Sequence, residues 1–232
     1  MPRIRSHYGP LMVARGSDWT NRGAILGQYG SALANAIRAL PPSAVFLDIG
    51  ANAGVFSLVA SEVLTEGRVI AFEPNPLVFR DLLSNIELNK ARNVLAINAG
   101  LGSETSVMTL AFNPHHTGGA SIAAVGSTET EVPAAILEAA VLQELLGETD
   151  QKVLLKIDTE GCELRILHAM RACGFLDRID EAWIEIDDAH LTRFGDDRTG
   201  IYELMAQTGF TPRIASPPAP GHYDQNFVRT AD

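Results

Sequence analysis

One stretch limits the possible folds more than any other. VFLDI (Val45 to Ile49) is a β-rich apolar run that goes straight into Gly-Ala-Asn-Ala-Gly. VFSLVASEVL (Val55 to Leu64) then carries its apolar residues at helical spacing. A strand that turns on glycines into a helix brings backbone and unsatisfied helix N–H groups to one edge of a sheet, where a nucleotide-bearing ligand can dock. The same alternation continues. RVIAFE (Arg68 to Glu73) reads as a strand stopped by Pro74 and Pro76, LVFRDLLSNIELN (Leu77 to Asn89) as a helix, and VLAINA (Val94 to Ala99) as a third strand. KVLLKID (Lys152 to Asp158), CELRILHAMRACG (Cys162 to Gly174) and EAWIEID (Glu181 to Asp187) give strand, helix and strand again.

Alternation of this kind predicts an α/β fold, a doubly wound and mostly parallel sheet with helices on both faces and a ligand crevice at the carboxyl ends of the strands. SVMTLAFN (Ser106 to Asn113) is expected as an extra strand, HHTGGAS (His115 to Ser121) as a loop, and AAILEAAVLQELLG (Ala134 to Gly147) as a helix over at least its second half. The tail reads as a helix over Ile201 to Gly209, then FTPRI (Phe210 to Ile214) and NFVRT (Asn226 to Thr230) as an antiparallel hairpin around SPPAPG. Residues 1–42, with a helical pattern over Ala32 to Leu40, are expected to flank or cover the sheet, and residues 43–232 to form the main domain.

The 232 residues carry 18 Lys and Arg against 28 Asp and Glu, a formal charge of -10, which argues against a nucleic-acid groove. No stretch approaches the roughly 20 apolar residues of a membrane span, and the N-terminus lacks a signal-peptide core. The two cysteines, Cys162 and Cys173, fall on one predicted helix, roughly 16 Å apart at ~1.5 Å per residue, too far to pair. Free thiols, no signal and no span lead to the expectation of a soluble cytoplasmic protein.

In the first loop Asp48, Gly50, Asn52 and Gly54 form D-x-G-x-N-x-G. A dinucleotide fingerprint aligned on Gly50 would need glycine where Asn52 and Val55 stand, so a pyrophosphate ligand fits poorly. A sulfonium cofactor has no phosphate but has an amino-acid end. Asp48 is expected to accept from its ammonium group and the loop amides to take its carboxylate. Glu73, 19 residues after Gly54, is placed to accept from both ribose hydroxyls.

VFLDIGANAGVFS, AFEPNP and KIDTEGCEL together resemble the FkbM family of S-adenosylmethionine-dependent methyltransferases, from about Gly9 to Phe227, with K-I-D-x-E-G-x-E the most specific part. The resemblance implies a seven-stranded Rossmann-like sheet and methyl transfer to an oxygen, such as a hydroxyl of a sugar, polyketide or other natural product. It also implies that Gly100 and Leu101, in NAGLG, lie against the adenine, with Pro74 beside Glu73 in the cofactor site.

An alcohol must lose its proton as it attacks, so a carboxylate or histidine is expected within reach. Asp158 and Glu160 are the first candidates, at the carboxyl edge beside the glycine loop, with Asp158 also able to touch the cofactor. Capping of the next helix is their structural alternative, and for Lys156 a salt bridge is expected. His115 and His116 are further candidate bases in the turn-rich loop. Glu185 and Asp187 share a strand face and with Asp158 offer oxygen ligands for a divalent cation, but no dedicated metal spacing appears and no metal is expected. Trp19, Tyr29 and Trp183 are candidate pocket walls, and RGSDWTNRG (Arg15 to Gly23) a flap over the cofactor. The competing readings are a nicotinamide-dependent oxidoreductase on the same fold and a non-catalytic module that binds S-adenosylmethionine.

Overall fold

All five residues of VFLDI are buried, because both faces of their strand are covered. In the computed structural model, which describes residues 2–113, 115–121, 130–213 and 221–230 (only the backbone of 116–121), this strand lies at the centre of the molecule. The chain opens with β1 (Arg3–Arg5), β2 (Leu11–Val13), α1 (Trp19–Leu26) and α2 (Ser31–Arg38). The alternating part begins with β3 (Val45–Ile49), α3 (Val55–Val63), β4 (Arg68–Phe72), α4 (Pro76–Asn89) and β5 (Val94–Ile97). Next come β6 (Gly100–Gly102), β7 (Ser106–Asn113), β8 (His116–Ser121), β9 (Thr130–Glu138) and α5 (Val141–Leu146). The rest is β10 (Val153–Ile157), α6 (Glu163–Ala172), β11 (Glu181–Asp187), α7 (Asp188–Arg193), α8 (Arg198–Gln207), β12 (Phe210–Pro212) and β13 (His222–Arg229).

The main sheet has seven strands in the order β12-β13-β11-β10-β3-β4-β5. β11, β10, β3, β4 and β5 pair in parallel, while β13 is antiparallel to both β11 and β12. The expected mostly parallel sheet with an antiparallel C-terminal hairpin is therefore what forms. Val45, Leu47 and Ile49 point into a core shared with α5, α6 and α8, and Phe46 into a second core with α2, α3 and α4. Among the described residues no helix is long and apolar enough to cross a membrane. Both cysteines are free, one at each end of α6.

The helix expected over at least the second half of Ala134 to Gly147 forms as α5, while the first half continues β9, with Ala134 and Ile136 buried and Ala135 exposed, a period of two set by pairing with β7. Helix propensity in this Ala-rich run gives way to that pairing, and only Val141–Leu146 is helical. The expected loop at 115–121 is largely β8, so β6, β9, β7 and β8 make a second sheet. The last strand starts four residues earlier than Asn226, at His222. The polar segment after Asp18 is helical because Asp18 caps it, accepting from the amides of Thr20 at 3.0 Å and Asn21 at 3.4 Å. The far end of the predicted FTPRI strand, Ile214, and the SPPAPG connection lie outside the described residues.

Candidate active site

The glycine loop between β3 and α3 uses up its own amides. Those of Gly50 and Ala51 donate to the Phe72 carbonyl, at 3.0 and 2.9 Å, and that of Gly54 to Ala51 at 2.9 Å. The Asn52 amide donates to Glu73 Oε2 at 2.8 Å and the Ala53 amide to Asn52 Oδ1 at 2.7 Å. Asn52 holds a left-handed backbone with φ +50°, where its side chain closes this turn. With five successive N–H groups committed inside the protein, the loop has no cradle for a pyrophosphate, nor the expected amides for a cofactor carboxylate.

Asp48 and Gly54 also differ from expectation. Asp48 is fully buried behind the loop, accepting from Ser57 Oγ at 2.6 Å and lying 3.2 Å from Lys156 Nζ, so it does not reach the cavity to take an ammonium group. Strand alternation explains this, since Asp48 follows Phe46 onto the α3 side of the sheet. Gly54, with φ +84°, packs against Leu82 and starts α3; it does not line the cavity.

A cavity of about 390 Å³ opens above the carboxyl edge of the sheet. Gly50, Asn52, Glu73, Pro74, Gly100 and Leu101 line one side, with Ile136 from β9. Trp19, Thr20, Gln28 and Tyr29 from the N-terminal segment line another, so α1 borders the cavity over the stretch read as a flap. Glu73 is buried, and its second oxygen accepts from the Asn75 amide at 2.8 Å. Burial pushes its carboxyl up to about 7 despite the two amides that favour the ionised form.

The remaining wall is titratable: Lys156 and Asp158 at the end of β10, Glu160 in the next turn, Trp183 and Glu185 on β11, His222 and Asp224 on β13. Lys156 donates to the Gly50 carbonyl at 2.6 Å and lies 3.4 Å from Asp158 Oδ2, which makes it the expected salt bridge. Burial alone would lower its pKa, but Asp158 and Asp48 hold it above its ordinary value. Glu160 has φ +58°, an uncommon conformation that turns its carboxyl to within 2.5 Å of His190 Nδ1. Burial, then Glu185 and Asp158, push Glu160 up to about 10, while burial lowers His190. Raised so far, Glu160 keeps its proton and is poorly suited to act as a base at neutral pH.

His222 Nε2 lies 2.6 Å from Glu185 Oε1. This bond raises His222, to about 9, while burial and Asp158 raise Glu185, to about 8. Both shifts cannot operate fully at once, because a protonated Glu185 would no longer favour the imidazolium. The pair keeps at least one proton through neutral pH, because Asp158 and Glu160 crowd it.

One oxygen each of Asp158, Glu160 and Glu185 lie within 4.8 Å of one another, a different oxygen set from the Asp158, Glu185 and Asp187 read from the sequence. Asp187 instead caps α7, accepting from Ala189 and His190 amides at 2.8 and 3.0 Å. Lys156 supplies positive charge to this cluster from within the chain, and the proton held by the Glu185–His222 pair offsets part of its negative charge. His115 is exposed and away from the cavity, its carbonyl accepting from the Trp19 amide at 3.0 Å, so the expected base does not reach the site. The His116 side chain lies outside the described residues. His222 and Asp224 escape the sequence reading because their strand was expected to begin at Asn226.

The sequence model of the family described as the methyltransferase FkbM domain matches residues 48–212. Methyltransferase 1 of Beauveria bassiana is 29% identical over 195 residues, covering 76% of this chain and 76% of that protein. Hexuronic acid methyltransferase AglP of Haloferax volcanii is 32% identical over 130 residues, covering 54% of this chain and 49% of that protein. A structure from Streptococcus mutans, assigned as a methyltransferase and solved in complex with SAH, superposes with a TM-score of 0.54 at 11% identity over 87% of this chain and 98% of that one.

Proposed function

The chain belongs to the FkbM methyltransferase family, and on that footing we propose that it is an S-adenosylmethionine-dependent O-methyltransferase acting on a hydroxyl of a small metabolite. The observation that carries this reading is a single cavity bounded by Glu73, Pro74 and Leu101 on one side and by Asp158, Glu185 and His222 on the other. The residues present fit the cofactor. Its adenosine brings a diol, which Glu73 can receive on the lone pairs its two amide bonds leave open. Its net positive charge suits an acidic wall, and it has no phosphate for the committed loop amides to hold.

Glu73 would hold the ribose hydroxyls, Pro74 and Leu101 would flank the adenine with Gly100 allowing close approach, and Asn52 and Asp158 would meet the amino-acid end. When bound, the cofactor supplies an electrophilic methyl group on positive sulfur. The chain's own work is to align the acceptor and remove its proton. An amine, once neutral, attacks without a base, whereas an alcohol must be deprotonated as it reacts. The titratable wall therefore supports an oxygen acceptor. The name of the Haloferax volcanii relative, with its sugar-acid acceptor, supports the same acceptor chemistry.

The test is incubation with methyl-labelled S-adenosylmethionine and a panel of hexoses, hexuronic acids, hydroxylated polyketides, amines and thiols. Label on oxygen is expected; label confined to nitrogen or sulfur would refute the reading. Glu73→Ala should weaken S-adenosylhomocysteine binding by about 1 to 3 kcal/mol, measured by calorimetry. Because an ionised carboxylate is the better acceptor, wild-type affinity should climb between about pH 6 and pH 8, as Glu73 ionises near its raised value of about 7. The alanine variant should lack this climb, and unchanged affinity at both pH values would remove Glu73 from the ribose site.

A further inference from the structure

We propose that His222, oriented by Glu185, is the general base that takes the proton from the acceptor hydroxyl. This rests on the O-methyltransferase reading and assigns a residue to its proton transfer. Three observations carry it.

The first is position. β13 lies two strand positions from β10 and four from β4, about 10 and 19 Å away at ~4.8 Å per strand. Because β13 is antiparallel to β11, its first residue pairs with Asp187 at the carboxyl edge. His222 thus lines the cavity at the end opposite Glu73, where an acceptor has room beside the nucleoside side.

The second is the hydrogen-bond pattern. Glu185 holds Nε2, and among the described residues nothing pairs with Nδ1. A ring fixed at one nitrogen by a carboxylate presents the other as a base in a set orientation, and the carboxylate stabilises the imidazolium that forms.

The third is that three other carboxylates of the wall are already engaged. Asp158 faces Lys156, Glu160 is joined to His190, and Glu73 is bound to two amides.

The step balances. A lone pair of the hydroxyl oxygen forms the new C–O bond as the methyl carbon's bond to the sulfonium breaks, and that bond's electron pair stays on sulfur as a neutral thioether. The proton leaves the oxygen for Nδ1, so the positive charge passes from sulfur to the imidazolium and then to solvent as a proton.

The groups facing His222 are Glu185 and Asp187 on β11, Asp224 on its own strand, Asp158 after β10 and His190 on α7. Their net effect raises the histidine, to about 9. Turnover should therefore increase with pH about tenfold per unit until the His222–Glu185 pair gives up its proton above neutral pH.

The experiment uses the full chain as wild type, His222→Gln and Glu185→Gln. Side-chain NMR titration without ligand should find His222 titrating above its ordinary value in the wild type and at least about one unit lower in Glu185→Gln. Calorimetry should give the same S-adenosylhomocysteine affinity for His222→Gln as for wild type. With the panel acceptor that turns over, His222→Gln should lose at least about 100-fold in kcat with little change in KM, and lose the pH limb. Retained kcat with the limb intact, or a His222 titration indifferent to Glu185→Gln, overturns the assignment and leaves the O-methyltransferase reading standing. A wild type that binds S-adenosylhomocysteine yet methylates no hydroxyl overturns both.

Discussion

Gly50→Ala should lose about 2 to 5 kcal/mol of folding stability and abolish detectable cofactor binding. A Cβ at this position would lie 1.8 Å from the Asp158 carbonyl oxygen, on a backbone with φ +79°. The left-handed backbone costs an alanine about 1 to 2 kcal/mol, and the overlap adds about 1 to 3. The obstacle is backbone, and it is pinned: the Asp158 amide donates to Ile49 at 3.1 Å and the Thr159 amide to Glu163 Oε1 at 2.8 Å. Relief must therefore separate the ends of β3 and β10, which hold the loop and Asp158 in the same cavity. Urea unfolding and calorimetry measure the two losses; stability within about 0.5 kcal/mol of wild type would mean that the loop does not have this geometry.

Lys156→Met should destabilise the protein by about 3 to 5 kcal/mol, because it removes the cation paired with the buried Asp48 and leaves Ser57 as that side chain's remaining partner. It also removes the bond from Nζ to the Gly50 carbonyl. Adding Asp48→Asn removes the unpaired acid and keeps an acceptor for Ser57, so the double variant should be more stable than Lys156→Met alone. A double-mutant cycle by urea unfolding should return a coupling of about 1 to 3 kcal/mol. Strict additivity would show that the pair contributes no specific interaction.

What the sequence revealed were features written locally. The Gly50–Asn52–Gly54 spacing, the period-3.6 pattern of α3 and α4, and Glu73 just after β4 depend on neighbours in the chain, and they led to the sheet and to most of the nucleoside side of the cavity. Lys156, charged within an apolar strand, likewise pointed to the salt bridge it makes. The depth of Asp48 was available from strand alternation, which aims it at α3, but its place in the loop motif suggested a ligand contact. His222 and Asp224 could not be read this way. They lie in a polar run next to a Pro- and Gly-rich connection, and their approach to Glu185 depends on antiparallel register with β11. β9 was obscured for the related reason that long-range pairing with β7 overrides the helical preference of Ala and Leu.

What the cavity binds is measured directly by one calorimetric titration, with S-adenosylmethionine and NAD titrated separately into the wild-type chain. The committed loop amides and the Glu73 carboxylate predict one-to-one binding of S-adenosylmethionine, weakened in Glu73→Ala, and no heat from NAD. Binding of NAD without binding of S-adenosylmethionine would contradict this reading.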